Sequence, residues 1–198
     1  MARLILITGG SRSGKSTYAL ERAEEISRDR SFLATCPVTD GEMRQRIERH
    51  RQEREGRGWR CCEEEIAVAA RIAEIDTAGV VLVDCLTLWI NNLLFKAEAA
   101  QEVFAEAEMR SDVARLLTAI GRHHGTVILV TNEVGMGIVP DNALARHYRD
   151  LVGTCNRLIA AAADEVVLVS CGLPLVLKGG RPAGDINITT TGQEDGSS

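Results

Sequence analysis

The chain has 198 residues, 45% of them hydrophobic, with a formal charge of −5 and an isoelectric point near 5.5. That length suits one domain able to bury around 70% of its unfolded surface. The acidic balance argues against a nucleic-acid partner, which usually selects a basic footprint. With no signal-peptide pattern and no apolar span near the roughly 18 residues of a membrane helix, the sequence reads as a soluble cytoplasmic protein.

In chain order, the first predicted strand, Leu4–Thr8, runs into Gly9-Gly10-Ser11-Arg12-Ser13-Gly14-Lys15-Ser16. This is a complete G-x-x-x-x-G-K-S phosphate loop, with a helix predicted over 15–28 behind it. The glycines let backbone N–H groups curl round a phosphate, and the helix N-terminus adds positive potential. Lys15 can reach the β- and γ-phosphates, and the Ser16 hydroxyl can ligate Mg²⁺.

A second strand is predicted over Ser31–Thr35, followed by a helical segment over 40–55. On a helix, positions 43, 47, 50, 51 and 54 share one side. Met43 and Ile47 would anchor it, with Arg46, His50, Arg51 and Arg54 extending the same face. Arginine forks suit phosphate oxygens, and a neutral His50 is a competent nitrogen nucleophile. Spacing alone equally describes an exposed helix laced with Glu/Arg pairs.

After a helix over 64–76, Val80–Asp84 forms an apolar strand ending in a carboxylate. That is the form of the acidic second element of phosphate-loop proteins, and it places the strand beside the first, with Asp84 toward a metal near Ser16. Cys85–Phe95 reads as a helix near the site, with Trp89 packing on the sheet. The next helix, over 100–122, takes its apolar face from Val103, Phe104, Val113, Leu116, Leu117 and Ile120.

Strand Thr126–Thr131 leads into Asn132-Glu133-Val134-Gly135-Met136-Gly137-Ile138-Val139-Pro140, at the strand end where open α/β sheets bind ligands. Glu133 could bind a polar substrate group, act as a base, or cap its own loop. A helix over 142–163 follows, whose Arg146, His147 and Arg149 read as packing or interface groups.

Strands Glu165–Ser170 and Leu173–Leu177 lie too close for a parallel crossover and are expected to pair antiparallel at a sheet edge. The whole alternation predicts a three-layer α/β fold of the P-loop NTPase type, mostly parallel with an antiparallel edge strand, over residues 1–178. The tail 179–198 is expected to be loosely ordered. Cys36, Cys61, Cys62, Cys85, Cys155 and Cys171 form no C-x-x-C, and the four histidines complete no zinc spacing.

The combination of Gly9–Ser16, Arg46-Ile47-x-x-His50-Arg51-x-x-Arg54, Trp59, Glu63, Asp84 and Thr131–Pro140 resembles the bifunctional adenosylcobinamide kinase/adenosylcobinamide-phosphate guanylyltransferase family of cobalamin biosynthesis. Ala145–Asp150 and Ala161–Val166 extend the resemblance, which runs from about residue 3 to about 178. It implies phosphorylation of adenosylcobinamide by ATP or GTP. GMP then passes from GTP to the phosphate through a guanylyl-histidine, giving adenosylcobinamide-GDP. The matching nucleophile is His50, beside Lys15 as the other catalytic residue.

The same resemblance implies nucleotide contacts by Gly9, Gly10, Ser11, Arg12, Ser13, Gly14, Lys15 and Ser16, and by Ala34, Thr35 and Cys36. It extends them to Arg51, Gln52, Glu53, Arg54, Glu63 and Asp84. It also implies Mg²⁺ at Ser16 and Asp84, and a homotrimer. Asp84 stands where some relatives carry Glu. A phosphate-loop kinase of another small metabolite, with no covalent step, is the competing reading.

Overall fold

A computed structural model describes residues 2–37, 48, 51–52, 54–75 and 79–179. Seven strands form one sheet: β1 (Arg3–Gly9), β2 (Arg30–Ala34), β3 (Trp59–Glu63), β4 (Val80–Asp84), β5 (Thr126–Val130), β6 (Glu165–Ser170) and β7 (Leu173–Lys178). Their order is β3-β2-β4-β5-β1-β6-β7, parallel throughout except for β6 and β7. The helices are α1 (Lys15–Ile26), α2 (Val68–Glu74), α3 (Leu86–Ala99), α4 (Glu106–Arg122) and α5 (Ala143–Ala162).

The central strands are continuous Val/Ile/Leu runs because both of their faces are covered. Alternation sends Leu4 and Leu6, Val81 and Val83, and Val127 and Leu129 to the side packed by α2, α3, α4 and α5. Ile5 and Ile7, Val80 and Leu82, and Ile128 and Val130 face the other side, which receives Ala19, Leu20 and Ala23 of α1. In α4 the buried residues Met109, Val113, Leu116 and Ile120 recur at helical spacing. Trp89 is buried, and its indole donates to the Ile66 carbonyl at 2.9 Å, so it packs on the sheet as expected.

Three expectations need correction. Residues Trp59–Glu63, given no secondary structure from the sequence, form the parallel edge strand β3 beside β2. Their polar pattern, with three of five side chains exposed, carries no strand signal. Second, β4 does not lie beside β1: β5 is inserted between them, pairing with β4 on one side and β1 on the other. Asp84 is therefore two strand spacings from the phosphate-loop strand, about 10 Å. Third, the helix expected over 100–122 begins only at Glu106. Val103 and Phe104 precede it, Val103 exposed and Phe104 buried.

The antiparallel edge is present. Cys171 and Gly172, at φ 53° and 79°, make the tight two-residue turn between β6 and β7. Most of the helix expected over 40–55, and the tail 180–198, lie outside the described residues; of the former, 48, 51, 52 and 54 are helical.

Candidate active site

The phosphate loop is assembled by close backbone approach. A Cβ on Gly9 would stand 2.4 Å from the Val169 carbonyl oxygen and 2.6 Å from Ser13 Oγ, so only glycine fits there. Gly14, at φ 91°, is left-handed, and a Cβ there would stand 3.2 Å from the Gly172 Cα. Arg12 is left-handed as well, at φ 58°. Ser13 N–H donates to the Gly10 carbonyl at 3.3 Å, closing the loop. Gly172 N–H donates to the Ser13 carbonyl at 2.8 Å, so the β6–β7 turn braces the loop from behind.

Lys15 is only 8% exposed, and its ammonium donates to the Gly10 carbonyl at 3.0 Å. It thus folds back over the loop, where a phosphate would lie. The buried Ser13 hydroxyl has no hydrogen-bond partner among the described residues, a cost that a loop built round an anion can carry. Ser16 sits half-buried in the first turn of α1.

Strand register aligns the other predicted positions. Glu63 pairs with Ala34, Ala34 with Asp84, Asp84 with Val130, and Val130 with Ile7. One row across the carboxyl edge of the sheet therefore holds Glu63, Ala34 and Asp84, and ends beneath the phosphate loop. Four strand spacings, about 19 Å, separate β1 from β3 along it. Ser16 and Asp84 offer hard oxygen donors of the kind Mg²⁺ takes, and both are half-buried rather than sealed in the core.

Several of these residues have structural duties. Thr35 is fully buried, its hydroxyl donating to the Cys85 carbonyl at 2.7 Å and accepting from Cys85 N–H at 2.8 Å. Its own carbonyl accepts from Asn92 Nδ2 at 2.8 Å, so Thr35 ties β2, β4 and α3 together. Cys36 is half-buried, its thiol 3.6 Å from the Pro37 carbonyl. Arg54 is buried, with its guanidinium 3.6 Å above the Phe32 ring, a cation–π stack inside the fold.

Arg51 is exposed and ion-paired with Glu63. That hydrogen-bonded pairing raises the arginine's pKa further and keeps it charged. With Gln52, Arg54 and Trp59, Arg51 bounds an open cleft of about 570 Å³ at the β3 edge. His50 and Glu53 lie outside the described residues.

The loop after β5 is joined to the phosphate loop. Glu133 N–H donates to the Gly9 carbonyl at 3.2 Å, and Thr8 Oγ1 donates to Glu133 Oε1 at 2.5 Å. Asn156 of α5 donates to the Asn132 carbonyl at 3.1 Å and accepts from Thr131 Oγ1 at 2.7 Å. Asn132 donates to Thr87 Oγ1 at 3.0 Å, and Tyr148 OH to the Thr87 carbonyl at 3.1 Å. Burial pushes the neighbouring Cys85 thiol up to about 11, so it remains protonated. Sequence reasoning missed Asn156 and the Gly172 brace. A lone Asn on a helix and a Gly in a turn carry no sign of distant partners.

Fold and site define a phosphate-loop NTPase-like α/β protein. Two solved structures share that fold at low identity. The flagellar accessory protein FlaH from Methanocaldococcus jannaschii gives a TM-score of 0.52 at 13% identity, covering 89% of this chain and 78% of that one. A type III secretion system ATPase of pathogenic bacteria gives 0.54 at 15%, covering 88% and 56%.

The family is narrower. Residues 5–177 match the model of cobinamide kinase / cobinamide phosphate guanyltransferase, and the chain belongs to that family. Among curated relatives, the bifunctional adenosylcobalamin biosynthesis protein CobP of Pseudomonas aeruginosa is 42% identical over 175 residues, spanning 88% of this chain and 96% of its own. CobU of Escherichia coli K12, with the same description, is 41% identical over 185 residues, spanning 88% and 99%. Among the described residues no helix is long and apolar enough to cross a membrane.

Proposed function

We propose that the protein phosphorylates adenosylcobinamide with ATP or GTP and then transfers GMP from GTP to the new phosphate through a guanylyl-histidine at His50. The observation that carries this reading is an intact phosphate loop, with Lys15 folded over it, inside a chain matched by the family from residue 5 to residue 177. The homotrimer implied by the sequence resemblance belongs to the same proposal.

In the kinase half-reaction the loop amides, the α1 N-terminus and Lys15 hold the nucleotide phosphates and stabilise charge as the γ-phosphoryl group moves. Ser16 and Asp84 would hold Mg²⁺, which when bound neutralises phosphate charge. This half-reaction needs no covalent intermediate. In the second half-reaction a neutral His50 nitrogen attacks the α-phosphorus of GTP and pyrophosphate leaves. The phosphate monoester of the corrinoid then displaces the histidine. Arg51, with Gln52 and Glu63 at the β3 edge, would handle the nucleotide in this step.

Incubation with GTP labelled at the α-phosphorus, in the presence of Mg²⁺, tests this. The expected product is protein-bound GMP that is acid-labile and alkali-stable, and His50→Ala should remove it while sparing adenosylcobinamide phosphorylation. Active protein that takes up no label would favour a kinase without a covalent step.

A further inference from the structure

Of the three phosphorus transfers in that cycle, only one has an attacking atom that must lose a proton. His50 attacks through a nitrogen lone pair. The phosphate monoester that receives GMP is largely an oxyanion at neutral pH, its second pKa being about 6. The alcohol that receives the γ-phosphoryl group keeps its proton until a base takes it. Lys15 and the loop amides are hydrogen-bond donors and cannot serve.

Among the described residues, carboxylates near the carboxyl edge of the sheet differ in what already occupies them. Glu63 is paired with Arg51. Glu64 accepts the N–H groups of Ile66 and Ala67 at 2.8 and 2.7 Å, in the turn before α2. Asp84 would hold the Mg²⁺ of the proposed function. Glu65 follows Glu64 at the β3 end, whereas Glu133 is built in beside the phosphate loop by its hydrogen bonds. Its N–H holds the Gly9 carbonyl, and its Oε1 accepts from Thr8 at 2.5 Å and from Asn156 at 3.3 Å. Asn156 is itself only 7% exposed and fixed by Thr131. Both contacts fall on one oxygen. The half-buried side chain keeps Oε2 clear of hydrogen bonds from described residues.

We propose that Glu133 is the general base of the phosphoryl-transfer half-reaction, an assignment that rests on the proposed function. Oε2 takes the hydroxyl proton as the acceptor oxygen bonds to the γ-phosphorus. The bond from that phosphorus to its bridging oxygen breaks, and the nucleoside diphosphate leaves with the electron pair. Thr8 and Asn156 are positioning residues: they hold Oε1 and thereby orient the carboxylate. Guanylylation of His50 and GMP transfer to a preformed phosphate do not use Glu133.

The test assays the full chain in two separate reactions: phosphorylation of adenosylcobinamide, and GMP transfer from GTP to preformed adenosylcobinamide phosphate. Glu133→Gln should lower the first by about 10²–10⁴-fold and leave the second near the wild-type rate. The acid limb of the wild-type kinase pH profile should vanish in the variant. A loss below about tenfold, an unchanged acid limb, or equal loss of both reactions in folded protein would overturn the assignment. If Glu133→Gln does not fold, Glu133→Asp must give the same split between reactions while keeping the acid limb. A wild-type protein inactive in both assays would sink the proposed function itself. An active wild type with an unaffected variant sinks only the role of Glu133.

Discussion

The two ends of the carboxyl edge are built differently. At the β1 end the nucleotide loop is enclosed by backbone: glycines too close to their neighbours to be replaced, a buried lysine, and a turn braced from behind. At the β3 end the polar groups stand in the open, with Arg51 and Glu63 both exposed at an edge strand. Rigid, buried geometry suits the recognition of a phosphate, which is the same in every nucleotide. Exposed side chains on a sheet edge suit a step in which successive partners must enter and leave. The contrast separates residues that will fail by misfolding from those that will fail only in chemistry.

The largest expected effect is at Lys15. Lys15→Ala should reduce adenosylcobinamide phosphorylation by about 10²–10³-fold, the size of a lost transition-state charge contact. Unaffected phosphorylation would remove the loop from the kinase step. Next comes Gly14→Ala, which forces a left-handed residue against Gly172. A cost of about 1–3 kcal/mol is expected, read as a lower denaturant midpoint together with weaker nucleotide binding. An unchanged midpoint would mean that the loop is not braced.

Arg51 and Arg54 sharpen the comparison because they are neighbours in sequence with opposite burial. Arg54→Ala should cost about 1–2 kcal/mol of stability through loss of the stack on Phe32. Arg51→Ala, at an exposed ion pair, should cost under about 0.5 kcal/mol while raising the KM for GTP. Equal destabilisation by both would contradict the exposure of the β3 end.

The smallest effect is electrostatic. The N–H groups of Ile66 and Ala67 hold Glu64 below the usual carboxylate range. Its contribution is therefore fully present above the unfolded value of about 4.3 and fades as pH falls through the lower folded value. Glu64→Gln should cost about 1 kcal/mol near pH 7 through its weakened hydrogen bonds and progressively less below pH of about 4, measured by urea unfolding. A cost independent of pH would assign the effect to packing.

The fold was legible where burial leaves a signature. Val80–Asp84 and Glu165–Ser170 are runs of branched apolar residues, and the helix face Val113, Leu116, Ile120 repeats at helical spacing. Trp59–Glu63 was not legible, because an edge strand with exposed Arg60, Cys61 and Glu63 buries too little to show a period. The insertion of β5 between β1 and β4 was hidden for another reason. Both strands are buried on two faces, and nothing local records which neighbour each one pairs with. In the site, the phosphate loop could be read because its chemistry is contiguous. Thr8 lies 125 positions from Glu133 and Asn156 lies 23 positions beyond it on another element, so the sequence offered Glu133 without its partners.

The brace between Gly172 and Ser13 also has a consequence for the order in which the protein is made. β1 leaves the ribosome first, yet its two neighbours, β5 and β6, begin at residues 126 and 165, and the turn that holds the loop comes later still. A nascent chain stopped short of Gly172 lacks the last support of a motif completed at Ser16. Retention of newly made chains on immobilised nucleotide should therefore rise only once the β6–β7 turn has emerged. The ligand loop is made well before the turn that makes it usable.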